Sequence, residues 1–98
     1  MTTKEYNGWT NYETWLVKLW MDNEQGTQQF FQEQAEECIK RNPDDSDDEL
    51  AEIIKEHREE SLPKLEGFAA DLMNAALSEV NWGEIAHSLL EDAKEALA

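Results

Sequence analysis

Apolar residues recur three or four positions apart along much of this chain, and this spacing restricts the fold more than any other feature of the sequence. The run from Leu65 to Val80 is the clearest case; its apolar members are Leu65, Phe68, Ala69, Leu72, Met73, Ala76, Leu77 and Val80. This period is typical of an amphipathic α-helix and not of a strand, in which apolar residues alternate. No segment shows convincing strand alternation. The pattern therefore predicts an all-α fold.

Capping and stop signals divide the chain into five predicted helices. The first begins near Thr10 or Asn11, with Thr10-x-x-Glu13 as a capping box, and runs to about Asn23. Gly26 is expected to stop it, and the second helix spans Thr27 to Arg41, with Thr27 as cap and Asn42-Pro43 at its end. Ser46-x-x-Glu49 caps the third, Ser61 and Pro63 open the fourth, and Asn81-x-x-Glu84 caps the fifth. Residues 1–98 are expected to form a single helical domain, a compact bundle.

The first predicted helix carries an unusual concentration of aromatic residues. On a helical wheel, Trp15, Leu16, Leu19 and Trp20 fall within an arc of roughly 140° around Tyr12. A helix with so wide an apolar arc usually packs on two sides. We therefore expect the first helix to be central in the bundle, with these four side chains packed in its core. Of the four, Trp15, Leu19 and Trp20 are expected to be buried against the fourth and fifth helices.

Trp9 lies before this helix, and two interpretations of it remain open. Gly8 allows the chain to turn, so that Trp9 can fold back over the helix start. Alternatively, Trp9 is a partly exposed residue that contacts a partner.

The aromatic stretch also carries a resemblance. The motif NGWTNYETW, followed by LVKLWMDNEQG, resembles the opening of a family of small, mostly uncharacterised proteins carried by phages, plasmids and some microbial genomes. The stretch VNWGEIAHSLLED is similar to the close of the same family. The resemblance implies a compact helical domain, and it assigns no catalytic role to any residue.

The charge of the chain points to the kind of partner it can bind. Twenty-three acidic against eight basic residues give a net charge of −15 among 98 residues, which repels nucleic acid and anionic membranes. A basic protein surface or a cation is the expected partner. We expect no direct binding to nucleic acid or to a membrane.

Nine acidic residues lie between Asp44 and Glu60, where Lys55 and Arg58 are the only bases, so that the net charge is −7. A helical segment of this length spans about 25 Å, which gives one net charge per roughly 3.6 Å. One strand of a DNA duplex carries one charge per roughly 3.4 Å. This segment can therefore imitate a phosphate backbone, although many acidic helices are only solvated. The predicted partner-binding residues are Asp44, Asp45, Asp47, Asp48, Glu49, Glu52, Glu56, Glu59 and Glu60.

Other chemistry finds little support in the sequence. A calcium loop beginning at Asp45 fails because Leu50 stands where the sharp turn requires glycine. Glu84-x-x-His87 has the spacing of di-iron helical proteins, but it occurs once where such a site needs two copies. Cys38, the only cysteine, is expected to be a buried structural thiol, and His57 a partly buried, hydrogen-bonded side chain. We predict that the protein is not an enzyme and uses no metal or other cofactor.

The expected localisation is inferred from the lack of a recognisable secretory signal or membrane-spanning segment in the sequence. The residues MTTKEYNG include no apolar segment typical of a secretory signal, and the longest apolar run is too short to span a bilayer. We expect a soluble, cytoplasmic protein.

Two functions fit these patterns. The first is an acidic inhibitor that occupies the nucleic-acid-binding surface of a host defence protein, in the manner of an anti-CRISPR or anti-restriction protein. The second is a general interaction or regulatory module that uses exposed aromatic residues near Trp9 and Trp82.

Overall fold

The computed structural model describes residues 5–97, and within this range the regular secondary structure consists of five α-helices. They are α1 (Tyr12–Asn23), α2 (Gln25–Arg41), α3 (Ser46–Glu60), α4 (Gly67–Ser78) and α5 (Trp82–Leu97). The predicted all-α, five-helix architecture is confirmed.

The central helix of the bundle is α5, which packs against α1, α2 and α3. Its stripe of Ile85, Ala86, Leu90 and Ala93 is fully buried. The rest of the core comes mainly from its neighbours, as Met21 of α1, Phe31, Ala35 and Cys38 of α2, and Leu50 and Ile54 of α3.

The expectation that α1 is the central helix is wrong. Its only buried residues are Thr14 and Met21, while Trp15, Leu16 and Leu19 are half-buried and Trp20 remains 55% exposed. The physical reason lies in side-chain size: α5 has alanines at two buried positions, which let several helices approach it closely. The rings of Tyr6, Tyr12 and Trp15 instead pack on one another at the edge of the bundle, with centroids 4.7–5.6 Å apart.

The start of α1 is correctly predicted, but the capping residue is Asn11 and not Thr10. The Oδ1 atom of Asn11 accepts hydrogen bonds from the backbone N–H of Thr14 at 2.9 Å and from the Thr14 hydroxyl at 2.6 Å. Thr10 serves elsewhere, because its backbone N–H donates to Oε1 of Glu84 at 3.0 Å. Residues 10 and 11 are both good caps, and only contacts with a distant segment decide between them.

The junction of α1 and α2 is shorter than predicted. A single extended residue, Glu24, separates the helices, so Gly26 and Thr27 both lie inside the first turn of α2. Gly26 is therefore not a stop signal, and Thr27 is not a cap. One extended residue suffices to redirect the chain.

The predicted capping box at the start of α3 is also wrong. Asp45 occupies the N-cap position and makes no side-chain cap hydrogen bond, while Ser46 is the buried first residue of the helix. The turn after Pro43 explains the shift, since the Asp45 N–H donates to the carbonyl of Asn42 at 3.2 Å and starts the winding one residue early. Asp47 and Asp48 still lie in the first turn, where the helix dipole favours anions.

The fourth helix begins later than Ser61 and Pro63 indicate. The Ser61 hydroxyl donates to the carbonyl of Arg58 at 2.7 Å and ends α3, and an irregular segment runs from Pro63 to Glu66. Helix α4 then starts at Gly67, whose φ of +61° favours glycine.

The fifth helix has the cap predicted for it. Oδ1 of Asn81 accepts from the backbone N–H of Glu84 at 3.0 Å. The reciprocal bond of a capping box is absent, because the Glu84 carboxylate accepts from Thr10 instead.

Ahead of α1, the chain reverses in a tight turn. Asn7 and Gly8 both have positive φ, +49° and +87°, as in the two-residue turns typical of Asn-Gly. Tyr6 and Trp9 exchange backbone hydrogen bonds of 2.8 and 2.9 Å across it. Trp9 is thereby folded back and packs, half-buried, against the core, as its first interpretation predicts, while its contact with a partner stays a prediction.

Candidate partner-binding surfaces

Helix α3 presents one side to the core and the opposite side, rich in carboxylates, to solvent. Leu50 and Ile54 are buried. At about 100° per residue, Asp48, Glu52, Glu56 and Glu59 fall within an arc of about 80° on the far side of the helix. All four are exposed, and we call these four residues the acidic face. From Asp48 to Glu59 they span about 16 Å along the helix axis.

The structure brings eight of the nine predicted partner-binding residues to the surface. The eight exposed residues are Asp44, Asp45, Asp47, Asp48, Glu52, Glu56, Glu59 and Glu60. Glu49 is the exception, since it is half-buried and its Oε2 accepts from Nε of Arg41 at 3.1 Å. Glu49 therefore belongs to the packing between α2 and α3 and not to an exposed binding surface.

The charge of these exposed residues is left largely unneutralised. Asp47 lies 3.8 Å from Nδ1 of His87, and the other seven exposed acids form no ion pair with any residue in the described range. Arg58 does not offset them, because it points away from the acidic face and pairs with Glu24 at 3.1 Å. Lys55 is the one base on the same side of α3, and it forms no ion pair with the described residues, so the acidic face keeps a net negative charge for a basic partner.

Cys38 is buried beside the Arg41–Glu49 pair, as a structural thiol was predicted to be. Burial, followed by the hydrogen bond and negative charge of Glu49, raises the pKa of the Cys38 thiol from 9.0 to about 11. The thiolate is the nucleophilic form, so this thiol is protonated and unreactive at neutral pH.

His57 is partly buried, as predicted, but it lacks the expected partner at one nitrogen. Its ring stacks on Phe30 at 4.9 Å and meets Phe31 edge-on at 4.9 Å. The buried Nδ1 atom has no hydrogen-bond partner among the described residues. His57 thus acts as an aromatic member of the α2–α3 contact.

The Glu84-x-x-His87 spacing does not assemble a metal site in the structure. Glu84 binds the Thr10 backbone, while His87 is exposed and points toward Asp47. Across residues 5–97, no group of three or more His, Cys, Asp and Glu side chains is arranged to hold a metal ion.

The exposed apolar residues differ from those expected. Trp9 and Trp82 are half-buried, whereas Trp20 is 55%, Leu72 59% and Phe68 81% exposed. These three residues are not among the exposed aromatic residues predicted from the sequence. For Phe68 and Leu72 the sequence does contain a signal. The apolar positions of the fourth predicted helix spread over about 180°, which is more than one packing contact covers.

A groove opens between α1 and α4, and we call it the apolar groove. It encloses about 160 Å³. Eight side chains line it: Leu16, Val17, Trp20, Arg58, Leu62, Met73, Leu77 and Trp82. Its one cationic residue, Arg58, is already paired with Glu24. Since a dry cavity of about 150 Å³ accepts benzene, the groove has room for one large apolar side chain.

A second depression adjoins the apolar groove and connects it to the acidic face. It encloses about 300 Å³ and shares Leu77 and Trp82 with the groove, while Lys55 and Glu59 of α3 line its other side. Glu59 is therefore a member of the acidic face that also borders the depression next to the groove.

Helix α4, one wall of the groove, is only loosely attached to the bundle. It contains no buried residue and makes no extensive contact with another helix of the described chain. Because it buries so little apolar surface, a small displacement of α4 costs little.

No helix within residues 5–97 combines the length and apolar character that crossing a membrane requires.

A family model of proteins of unknown function, DUF7249, matches residues 2–97, so the chain belongs to that family. Neither the curated proteins nor the solved structures contain a match.

Proposed function

We propose that this protein is an acidic inhibitor that occupies the nucleic-acid-binding surface of a host defence protein, such as a CRISPR effector or a restriction enzyme. The observation that carries the proposal is the acidic face: four exposed carboxylates on one side of α3, with no ion pair to the described residues. The phage and plasmid setting comes from the resemblance of the NGWTNYETW motif.

The proposed mechanism is competition for a basic groove. Nucleic-acid-binding surfaces carry Lys and Arg residues spaced to contact phosphates. The acidic face places one carboxylate per about 5 Å of helix, and the remaining acids of residues 44–60 add to its potential. Such complementarity mainly raises the association rate and selects the partner. The inhibitor needs no catalytic group and no cofactor, and it would act in the cytoplasm, where such targets meet foreign DNA.

The proposal is tested with two matched triple variants. The first changes the acidic face by Asp48→Asn, Glu52→Gln and Glu56→Gln. The second makes the same kinds of change on one exposed side of α5, by Asp92→Asn, Glu91→Gln and Glu95→Gln. Each variant removes three negative charges, so a difference between them reports position and not net charge.

Tagged parent and variants are used to capture proteins from a nuclease-treated lysate of the natural host, at low and at high salt. The expected result is a nucleic-acid-binding protein that the parent and the α5 variant retain, that the acidic-face variant loses, and that added DNA or RNA displaces. The proposal fails if the captured protein binds no nucleic acid, or if the acidic-face variant retains it as well as the parent does.

The alternative is a general interaction module that binds through apolar residues, and the exposed apolar groove with Trp20 and Trp82 favours it. This alternative predicts that the partner protein is still captured at high salt and by the acidic-face variant, but that it is no longer captured when Trp20 is replaced by alanine.

A further inference from the structure

The apolar groove is a site that the acidic face does not explain. Trp20 is 55% exposed although it lies on a helix in contact with the core, and Met73 and Leu77 face it from α4. An exposed apolar surface with a polar rim often marks a binding site. The shape of the groove, with a helix on either side, suits a third helix laid between them.

The charge around the groove restricts what can occupy it. Glu59 lines the adjoining depression, and Glu13 lies seven residues before Trp20, on the same side of α1. The groove's own cation, Arg58, is bound to Glu24. Lys55 also lines that depression, but the four carboxylates of the acidic face outnumber it, so the rim is net acidic. A second copy of a chain with a net charge of −15 would be repelled from it.

We propose that the apolar groove binds an amphipathic helix of the partner protein, with one large apolar side chain inserted beside Trp20 and with Lys or Arg residues facing Glu59 and the acidic face. This proposal rests on the proposed function for the basic character of the partner. It adds an apolar contact in the groove to the electrostatic contact at the acidic face. The acidic face would speed association, and the groove would slow dissociation.

The loose attachment of α4 supports this assignment. Because α4 buries no residue of its own, the wall formed by Met73 and Leu77 can move outward to admit the side chain. Methionine adapts its shape readily to apolar ligands, which suits a groove that fits its ligand on binding.

The test uses a labelled synthetic peptide of about four helical turns, with leucines on one side and lysines on the other. Two control peptides accompany it: one replaces every lysine with glutamate, and the other replaces the leucines with serines and keeps all lysines. Fluorescence anisotropy gives the Kd of each peptide for the parent at low and at high salt.

Three protein variants locate the binding site. Trp20→Ala removes the exposed wall of the groove, and Phe68→Ala removes a more exposed aromatic residue that does not line it. The acidic-face triple variant keeps the groove intact. Both alanine changes are at exposed positions, so all three proteins are expected to fold.

The expected result is that the leucine–lysine peptide binds the parent and Phe68→Ala equally, and binds Trp20→Ala roughly tenfold or more weakly, the usual loss at an aromatic anchor. The acidic-face variant should lose the salt-dependent part of the affinity and keep the rest. The peptides with glutamate or without leucine should bind much more weakly. NMR shifts should be largest at the methyl groups of Leu16, Met73 and Leu77.

Several results would overturn the groove assignment. Equal affinity for the parent and Trp20→Ala would do so, and so would an equal loss in Phe68→Ala. Concentration-dependent dimerisation of the parent that Trp20→Ala abolishes would assign the groove to a second copy instead. If only the acidic-face variant weakens binding, the groove proposal fails while the proposed function stands. If only Trp20→Ala weakens it, the groove binds through apolar contact alone, and the charged contact in this proposal is overturned.

Discussion

At the scale of single residues, Asn11 and Thr14 join the start of α1 to the loop before α5. The Asn11 side chain caps α1 and donates from Nδ2 to the carbonyl of Glu79 at 2.6 Å. The Thr14 hydroxyl donates to Asn11 and accepts from the backbone N–H of Asn81 at 2.9 Å. Both side chains are buried, so each loss would leave a polar group without water or a partner.

We therefore expect Thr14→Val to lower the free energy of unfolding by about 1–3 kcal/mol, although valine has nearly the shape of threonine. The change deprives the Asn81 N–H of its acceptor and Asn11 of one donor. Urea denaturation followed by circular dichroism measures the loss. Thr27→Val is the control, since the Thr27 hydroxyl forms no hydrogen bond with the described residues. A Thr14→Val midpoint equal to that of the control would show that the hydrogen bonds contribute nothing net.

The raised pKa of Cys38 predicts an alkaline loss of stability. The unfolded thiol deprotonates near 9.0 and the folded thiol near 11, so the contribution of this group is complete below pH 9 and is lost as the pH rises toward 11. Denaturation midpoints of the parent and Cys38→Ala, measured from pH 8 to pH 11, should therefore converge as the pH rises. Parallel curves would mean that the folded thiol has an ordinary pKa.

At the scale of helices, α4 and α5 have similar apolar spacing, but only α5 buries its apolar stripe. The stripe of α5 is buried against three helices, whereas α4 buries nothing and leaves Phe68 and Leu72 in solvent. Periodicity shows which residues share a side of a helix, but not whether another helix covers that side. Some of the apolar surface of α1 and α4 therefore remains open as the groove.

The central position of α5 predicts a clear contrast between two alanine changes. Leu90→Ala should cost about 2–5 kcal/mol, the range for a buried leucine, and Trp20→Ala should cost much less because half of its side chain is already exposed. Ile85→Val, expected to cost about 0.5–1.5 kcal/mol, gives a measurable value if Leu90→Ala does not fold. Chemical denaturation decides between the helices: a loss for Trp20→Ala as large as that for Leu90→Ala would mean that α1 is the central helix.

The same contrast shows what the sequence could and could not predict. The five helices and the Asn81 cap follow from local signals, and the structure has both. The caps of α1 and α3 were misassigned because adjacent residues, such as Thr10 and Asn11, cap equally well and long-range contacts choose between them. For the candidate sites, the exposure of the acidic residues is predictable because charged side chains usually lie at the surface. The apolar groove is not predictable in this way, because it forms only through the placement of α1 relative to α4.

At the scale of the whole molecule, the net charge of −15 acts on the fold as well as on any partner. Self-repulsion destabilises a compact acidic chain, and salt screens it, since the Debye length falls from about 30 Å at 0.01 M to about 10 Å at 0.1 M. The melting temperature should therefore rise over this range. A melting temperature that falls with added salt would mean that attractive ion pairs outweigh the repulsion.

The central proposal for the whole molecule is that the acidic face binds a basic, nucleic-acid-binding surface. The most direct measurement is the Kd of the captured partner for the parent, the acidic-face variant and the matched α5 variant, at physiological ionic strength. Three lost contacts of about 0.5–1 kcal/mol each predict an affinity reduced roughly tenfold or more for the acidic-face variant, with little change for the α5 variant. Equal affinities of the parent and the acidic-face variant would contradict the account.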